Sequence, residues 1–310
     1  MAQRAQFPAE SDASGRWVRQ ASRFRDLVRA DGSGEFPAEA GRYHLYVSLA
    51  CPWAHRAIIV RRLKGLEDVV SMSVVDPVRD ERGWAFREGR GHGPDPVNGF
   101  RFLSEAYLAS DPGFEGRVTV PVLWDRETGR IVNNESADVI RILNSAFDEW
   151  GDDTLDLYPA DLRQDIDEVN RVVYETVNDG VYKTGFASSQ EAYDEAVRAL
   201  FATLDMLDTR LGERRYLCGD RITEADWRLF TTLLRFEPVY ATHFKCNLRR
   251  LADYANLPGY LRELYQWPGV AETVDLDHIK RHYYLTHDRL NPSRIIPIGF
   301  EFDLTAPHGR

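Results

Sequence analysis

The sequence predicts an α/β domain followed by an all-α helical domain, and three observations support this division. Alternating apolar residues at 42–48 and 69–75 flank a helical pattern, which is the arrangement of a βαβ unit. Strand patterns stop near Asp161. Beyond that point apolar residues recur at helical spacing, as in the series Ala196, Leu200, Leu204, Leu207 and Leu211.

Residues 1–40 are expected to form an N-terminal extension that straps across the body. The first 37 residues are polar, and the apolar anchors among them are Trp17, Val18, Phe24, Leu27 and Val28. One short helix is expected around residues 23–29. The α/β domain is then assigned to residues 41–148, and the helical domain with its C-terminal tail to residues 160–310.

The end of the first strand carries a candidate nucleophile. The strand stops at Ala50, and Cys51 and Pro52 lead into a helix. Unpaired N–H groups and the positive end of a helix dipole favour a thiolate there, and proline suits the first helical position. Ala54 stands where a Cys-x-x-Cys redox turn has its second cysteine, so a mixed disulfide on Cys51 would wait for an external thiol, which points to glutathione. The alternative is that Cys51 is a buried small residue at a helix cap.

A long stretch follows the second strand, and it contains Trp84. Loops of that length in a compact domain are usually functional or disordered. A short helix at 103–109 and strands at 118–124 and 130–132 come next. Pro121 cannot donate to a sheet ladder and belongs at an edge or a strand start. A cis bond before it would expose the Val120 backbone to a ligand.

The last helix of the α/β domain begins at Glu135 and Ser136 and runs to about Ala146. Serine at a helix start is most often a cap, but the free N–H groups of such a terminus also favour a carboxylate. The order of strands and helices is that of a thioredoxin-like domain. In the helical domain Thr223 and Asp226 have capping-box spacing, which predicts a helix start rather than chemistry.

Composition excludes several classes of partner. The formal net charge of -10 argues against nucleic acid and anionic membrane surfaces. No apolar run reaches the roughly 18 residues of a membrane span, and the first residues lack the apolar core of a signal peptide. Cys51, Cys218 and Cys246 lie far apart, which fits a reducing compartment. We therefore expect a cytoplasmic protein, with Cys218 and Cys246 structural and with no metal site.

Seven sequence blocks carry a family resemblance that extends from about Trp17 to Pro297. They are residues 41–56, 83–84, 117–124, 133–136, 178–186, 243–247 and 278–284. With these blocks the chain resembles the soluble glutathione transferases, and within them the xi class, the glutathionyl-hydroquinone reductases. The tail departs from the family pattern, with Arg294 in place of glycine and Phe300 in place of proline.

The resemblance implies a reaction and a set of site residues. The glutathione part of a glutathionyl-hydroquinone is expected on the thioredoxin-like domain, where the Cys51 thiolate attacks its sulfur and a second glutathione resolves the mixed disulfide. Glutathione is the cosubstrate, and a homodimer is expected. By resemblance, glutathione contacts are Trp84, Arg117, Val120 through its backbone, and Glu135 and Ser136 at the γ-glutamyl end.

Three tyrosines match the family's candidates for the ring site, and each has a structural alternative. Tyr174 could belong to the core, Tyr240 could pack at a helix end, and Tyr283 could anchor the tail. Two other functions stay open. One is an omega-type thiol transferase or dehydroascorbate reductase that uses the same cysteine. The other is a non-catalytic ligand-binding protein, against which the intact Cys51 turn argues.

Overall fold

The computed structural model describes residues 10–300 and 302–310. The chain divides into two compact units. The first comprises Gln20–Asp156 together with Asp277–Thr286. The second comprises Leu157–Leu276 with the described residues of Ala9–Arg19 and of His287–Arg310. Whether the chain's domains end at the limits 41–148 and 160–310 stays a prediction.

A four-stranded sheet organises the first unit. Its strands are β1 (Tyr43–Val47), β2 (Ser71–Val74), β3 (Val122–Asp125) and β4 (Arg130–Asn133). They lie in the order β2-β1-β3-β4, with β1 parallel to β2 and the other two pairs antiparallel. The parallel pair confirms the predicted βαβ unit. β3 begins directly after Pro121, four residues later than predicted, because the chain enters the sheet only beyond the residue that lacks an N–H.

The described helices are α1 (Pro52–Leu63), α2 (Leu103–Ser110), α3 (Ser136–Ser145), α4 (Arg163–Val173), α5 (Gly180–Phe186), α6 (Gln190–Glu213), α7 (Glu224–Leu233), α8 (Ala241–His243), α9 (Leu257–Tyr265) and α10 (Leu276–Thr286). In the first unit α1 packs against α3. The aromatic residues 282–284, which the sequence places in a tail, lie on α10, and Asp277–Thr286 is part of the first unit.

The short helix predicted at residues 23–29 is wrong. This segment is extended, and Arg25 forms an antiparallel bridge with Asn133 at the end of β4. The Asp26 N–H donates to the Val132 carbonyl at 3.1 Å, and the Asn134 N–H donates to the Phe24 carbonyl at 3.1 Å. Pairing with β4 satisfies backbone groups at the sheet edge, which local apolar spacing cannot indicate. Residues 24–26 of the extension therefore run along the first unit, whereas the part of the prediction that concerns residues 1–9 lies outside the described residues.

The second unit is helical, as predicted. Leu200, Leu204, Leu207 and Leu211 form the buried stripe of α6, whereas Ala196 is only half-buried. The Thr223 and Asp226 capping box is present at the start of α7. Two π-helical turns, Tyr174–Asn178 and Phe236–Tyr240, interrupt the regular helices. Across the described residues, no helix combines the length and apolar character needed to span a bilayer.

Candidate active site

Cys51 occupies the N-cap position of α1, at the end of the segment that connects β1 to this helix. Its carbonyl accepts the first helical hydrogen bond from the His55 N–H at 3.0 Å, and Pro52 fills the first helical position. The side chain is half-buried and makes no cap hydrogen bond. The sulfur is therefore held at a helix N-terminus with part of its surface open, as a nucleophile requires.

The Val120–Pro121 peptide bond is cis, and Val120 lies beside Cys51. The thiol Sγ is 3.7 Å from the Val120 carbonyl oxygen and donates toward it. Val120 precedes β3 and is buried. Its backbone thus lies next to the sulfur, outside the regular ladder of the sheet.

A buried tyrosine on α2 holds the chain that leads to Val120. The Tyr107 hydroxyl donates to the Thr119 carbonyl at 2.8 Å and accepts from the Thr119 N–H at 3.1 Å. The Asn134 amide also donates to this hydroxyl at 3.1 Å. Burial raises the pKa of Tyr107, which keeps the hydroxyl protonated and able to donate. This network ties the segment before Val120 to the residue before Glu135.

Glu135 and Ser136 form the N-terminus of α3. Glu135 is the N-cap, and its Oε1 accepts from the Ala137 N–H at 3.2 Å. Ser136 is buried, and its Oγ accepts from Nη1 of the buried Arg56 at 3.3 Å. Because the guanidinium occupies an acceptor site of the hydroxyl, the Ser136 proton points elsewhere. The helix start offers a carboxylate, a hydroxyl donor and a positive dipole end within one turn.

Trp84 is buried among side chains of its own loop and of α10. Its indole is 4% exposed. The His282 ring stacks on it with centroids 4.9 Å apart and an interplanar angle of 20°, and the Arg79 guanidinium lies 4.9 Å from the ring centroid. Only a small part of the indole is open to a ligand. The predicted contact Arg117 is half-buried, and its N–H donates to Gln20 Oε1 at 3.1 Å.

The three predicted tyrosines fall in both units. Tyr283 lies on α10 in the first unit, which also contains Cys51. The Tyr283 side chain is 1% exposed. Tyr240 ends the second π-helical turn and is fully buried. Tyr174 begins the first π-helical turn and is 37% exposed, which excludes a core role.

The structure groups Tyr240 with a tyrosine that the sequence analysis leaves out. The Tyr182 ring meets the Tyr240 ring edge-on at 6.1 Å, and Phe244 packs against both. Tyr174 instead lines an open cleft of about 410 Å³ with Asn170, Arg171 and other residues of the second unit. Tyr182 lies within 178–186, one of the seven blocks that carry the family resemblance, and this position could have identified it from the sequence. We therefore add Tyr182 to the candidates for ring contact.

The other two cysteines are unsuited to nucleophilic chemistry. Burial raises the pKa of Cys218 to about 12 and raises that of Cys246 further. Both thiols stay protonated at neutral pH. A search of the described residues for groups of three or more His, Cys, Asp or Glu side chains able to hold a metal ion finds none.

Comparisons with known proteins agree with this fold. A family model described as "Glutathione S-transferase, N-terminal domain" matches residues 50–146, and one described as "Glutathione S-transferase, C-terminal domain" matches residues 190–263. The two matched domains define a glutathione transferase fold, in which Cys51 occupies the N-cap of α1.

Full-length relatives narrow the family. The chain is 54% identical over 303 residues to glutathionyl-hydroquinone reductase YqjG of Escherichia coli, covering 96% of this chain and 92% of YqjG. It is 52% identical over 287 residues to glutathionyl-hydroquinone reductase PcpF of Sphingobium chlorophenolicum, covering 93% and 90%. The chain belongs to the xi class of glutathione transferases, the glutathionyl-hydroquinone reductase family.

Solved structures support the same family assignment. The glutathione-bound structure of YqjG superimposes with a TM-score of 0.91, covering 93% of this chain and 96% of that chain. The xi-class transferase of Phanerochaete chrysosporium superimposes with a TM-score of 0.92 at 48% identity, covering 96% of each chain. The resemblance read from the sequence is confirmed.

Proposed function

We propose that this protein reduces glutathionyl-hydroquinones to hydroquinones with glutathione as the cosubstrate. The observation that carries the proposal is Cys51 at the N-cap of α1, with Ala54 in place of a second cysteine. This chain is up to 54% identical, over nearly its whole length, to relatives that are named for this activity. A single cysteine without a resolving partner fits a cycle in which glutathione itself resolves the intermediate.

The first step would be attack of the Cys51 thiolate on the glutathione sulfur of the substrate. The bond between that sulfur and the ring carbon breaks, its electron pair goes to the ring carbon, and that carbon takes up a proton. The products are the hydroquinone and a disulfide between Cys51 and glutathione. Both sulfur atoms are oxidised to the disulfide level while the ring carbon is reduced, so no outside electron donor is needed in this step.

The second step would be attack of a glutathione thiolate on the glutathione sulfur of that disulfide. Oxidised glutathione leaves, and the Cys51 thiolate is restored. Over both steps, one glutathionyl-hydroquinone and one glutathione become one hydroquinone and one oxidised glutathione. The proton consumed at the ring equals the proton released when the second glutathione ionises.

Glutathione would be held by groups at three places of the first unit. The backbone of Val120 would pair with the cysteinyl part and so bring its sulfur to Cys51, 3.7 Å from that carbonyl. The Glu135 carboxylate and the Ser136 hydroxyl would bind the ammonium and carboxylate of the γ-glutamyl end, because α3 begins there. Trp84 and Arg117 would make further contacts with glutathione.

The ring would be contacted by tyrosine hydroxyls. Phenol groups can donate hydrogen bonds to the hydroquinone oxygens and a proton to the ring carbon. Tyr283, Tyr240 and Tyr174 are the predicted residues, and Tyr182 joins them because its ring contacts Tyr240. Replacing each by phenylalanine and measuring kcat would show which hydroxyl acts on the ring.

The remaining assignments are part of the same proposal. We infer a homodimer, as expected for the family, which sedimentation at low protein concentration would test. Localisation in the cytoplasm fits three widely spaced cysteines, none of them in a disulfide. No metal is required by the two chemical steps.

The test is release of hydroquinone from a purified glutathionyl-hydroquinone in the presence of glutathione, with Cys51→Ser as the comparison. We expect release by the wild type and a loss of at least about 10³-fold in the variant, because its side chain is a far weaker nucleophile. Equal rates would exclude Cys51 chemistry. Turnover confined to mixed disulfides or dehydroascorbate would favour the omega-type function, and binding without turnover would favour a ligand-binding protein.

A further inference from the structure

The N-terminal extension contacts the same residues that are predicted to bind glutathione. Gln20 Oε1 accepts from the Arg117 N–H at 3.1 Å, and the Ser22 hydroxyl donates to Glu135 Oε2 at 2.9 Å. All of these residues belong to the first unit. Residues 20–26, which we call the strap, therefore run along the start of α3 and the segment before Val120.

The Ser22 contact fixes a carboxylate that has a candidate role in binding. Glu135 Oε1 accepts from the Ala137 N–H at 3.2 Å and lies 3.5 Å from the Ser136 hydroxyl, while Oε2 accepts from Ser22. Each carboxylate oxygen has room for about two hydrogen bonds. Oε1 therefore has both of its sites engaged and Oε2 has one, so the orientation of the group is set and a lone pair of Oε2 remains for a ligand ammonium.

Backbone pairing holds Ser22 in place. Two residues on, the Phe24 N–H donates to Asn134 Oδ1 at 3.0 Å, and its carbonyl accepts from the Asn134 N–H at 3.1 Å. Arg25 then forms an ion pair with Asp138 in the first turn of α3. The strap is thus attached on the C-terminal side of Ser22 by contacts that do not involve its hydroxyl.

We propose that Ser22 is a positioning residue for the γ-glutamyl end of glutathione, acting through Glu135. The inference rests on the proposed function of the site and adds the strap to it. A carboxylate whose position is fixed before binding loses less conformational freedom when it captures the ammonium group. Ser22 itself makes no contact with substrate in this account.

The test uses S-methylglutathione, an unreactive ligand whose sulfur cannot exchange with Cys51. Calorimetry should find that Ser22→Ala weakens its binding about 3- to 10-fold, which is less than the effect of a direct hydrogen bond to a charged group because Ser22 acts only through Glu135. Ser33→Ala is the matched control, since the Ser33 hydroxyl bonds Asp31 at 2.6 Å in the same extension but away from the site. It should bind like the wild type. Unchanged binding by Ser22→Ala would overturn the proposal.

A second ligand separates positioning from a general structural effect. In S-methyl-glutaryl-cysteinylglycine the γ-glutamyl group has lost only its amino group. Ser22→Ala should bind this ligand as the wild type does, because the ammonium is the group that Glu135 captures. Equal weakening for both ligands would overturn the proposal. These binding measurements need no turnover. The Ser22 proposal can therefore fail while the wild type still releases hydroquinone, and it can hold even if no hydroquinone is released.

A double-mutant comparison tests the route through Glu135. In a Glu135→Gln background, Ser22→Ala should have less than half of its effect on S-methylglutathione affinity, since the two residues act as one unit. An effect of the same size in both backgrounds would contradict the route.

Discussion

The sulfur of Cys51 lies 3.7 Å from the carbonyl oxygen of Val120, although 69 residues separate them in the chain. Cys51 is placed there by the end of β1 and the start of α1, and Val120 by the entry into β3. Since β1 and β3 are neighbours in the sheet, the nucleophile and the backbone expected to hold the cysteinyl part of glutathione meet at one place.

Alkylation should distinguish Cys51 from the other thiols. With iodoacetamide at pH 8, we expect modification of Cys51 only, because Cys218 and Cys246 are buried and burial raises their pKa values. Peptide mapping by mass spectrometry measures the sites. Unfolding the protein first is the control and should expose all three thiols. Modification of Cys218 at a rate similar to that of Cys51 in the native protein would contradict the assignment.

His282 should support glutathione binding through Trp84. Its Nδ1–H donates to the Pro77 carbonyl at 2.7 Å, and its ring stacks on the indole. His282→Phe keeps a stacked ring and should weaken S-methylglutathione binding by less than about 3-fold. His282→Ala loses both contacts and should weaken it about 10-fold.

The matched control for that prediction lies one turn earlier on α10. His278 Nε2–H donates to the Arg90 carbonyl at 2.6 Å and does not stack on Trp84. His278→Phe should therefore keep the affinity of the wild type. Wild-type affinity in His282→Ala would show that Trp84 needs no support from α10.

Asp226 should be required for stability of the second unit rather than for chemistry. Its carboxylate is fully buried and accepts from the Thr223 N–H at 2.8 Å, the Leu217 N–H at 2.9 Å and the Tyr260 hydroxyl at 2.8 Å. Asp226→Ala removes the acceptor of these three donors and of the Thr223 hydroxyl, which donates at 3.1 Å, and should lower the free energy of unfolding by at least about 2 kcal/mol in urea titrations. The exposed neighbour Asp220→Ala should change it by less than about 0.5 kcal/mol. A change of less than about 0.5 kcal/mol in Asp226→Ala would contradict a stabilising role of Asp226 in the second unit.

Stability should fall in mild acid because of a buried histidine on β1. His44 shares hydrogen bonds with the Ser71 and Ser73 hydroxyls, and burial lowers its pKa to about 4 from the usual 6.5. The unfolded chain therefore binds a proton between these values that the folded chain does not. Stability is complete above pH 6.5 and is lost as the pH falls toward 4, by about 1.4 kcal/mol for each unit of pKa difference.

Thermal melts between pH 7 and pH 4 would measure this loss. His44→Gln cannot take up the proton, so its melting temperature should fall less steeply with pH than that of the wild type. His243 in the second unit also has its pKa lowered to about 4 by burial, and it contributes in the same direction in both proteins. Identical pH slopes for wild type and variant would contradict the role of His44.

Much of the site could be predicted because its geometry is local. A strand, a cysteine and a proline in sequence suffice to place Cys51 at a helix N-terminus, and the same holds for Glu135 and Ser136 at α3. Val120 is marked by the proline that follows it. In each case the residues that define the backbone geometry are adjacent in the chain.

The rest depends on contacts that a local pattern does not contain. Phe24, Leu27 and Val28 have helical spacing, but the segment pairs with β4, which lies more than 100 residues away. The placement of Tyr283 and His282 in the first unit has the same origin. For Tyr174 the cause is different. Its N–H still bonds the Asn170 carbonyl as in a regular turn of α4, and it follows the buried Val173, so it lies at the border of the buried face, where apolar spacing does not decide exposure.

The most direct measurement of the central claim is the mass of the protein after reaction with a glutathionyl-hydroquinone in the absence of free thiol. We predict an increase of about 305 Da, the mass of one glutathione less two hydrogens, located on Cys51 and removed by added glutathione. An adduct found only on Cys218 or Cys246, or hydroquinone released with no adduct on Cys51, would contradict the account.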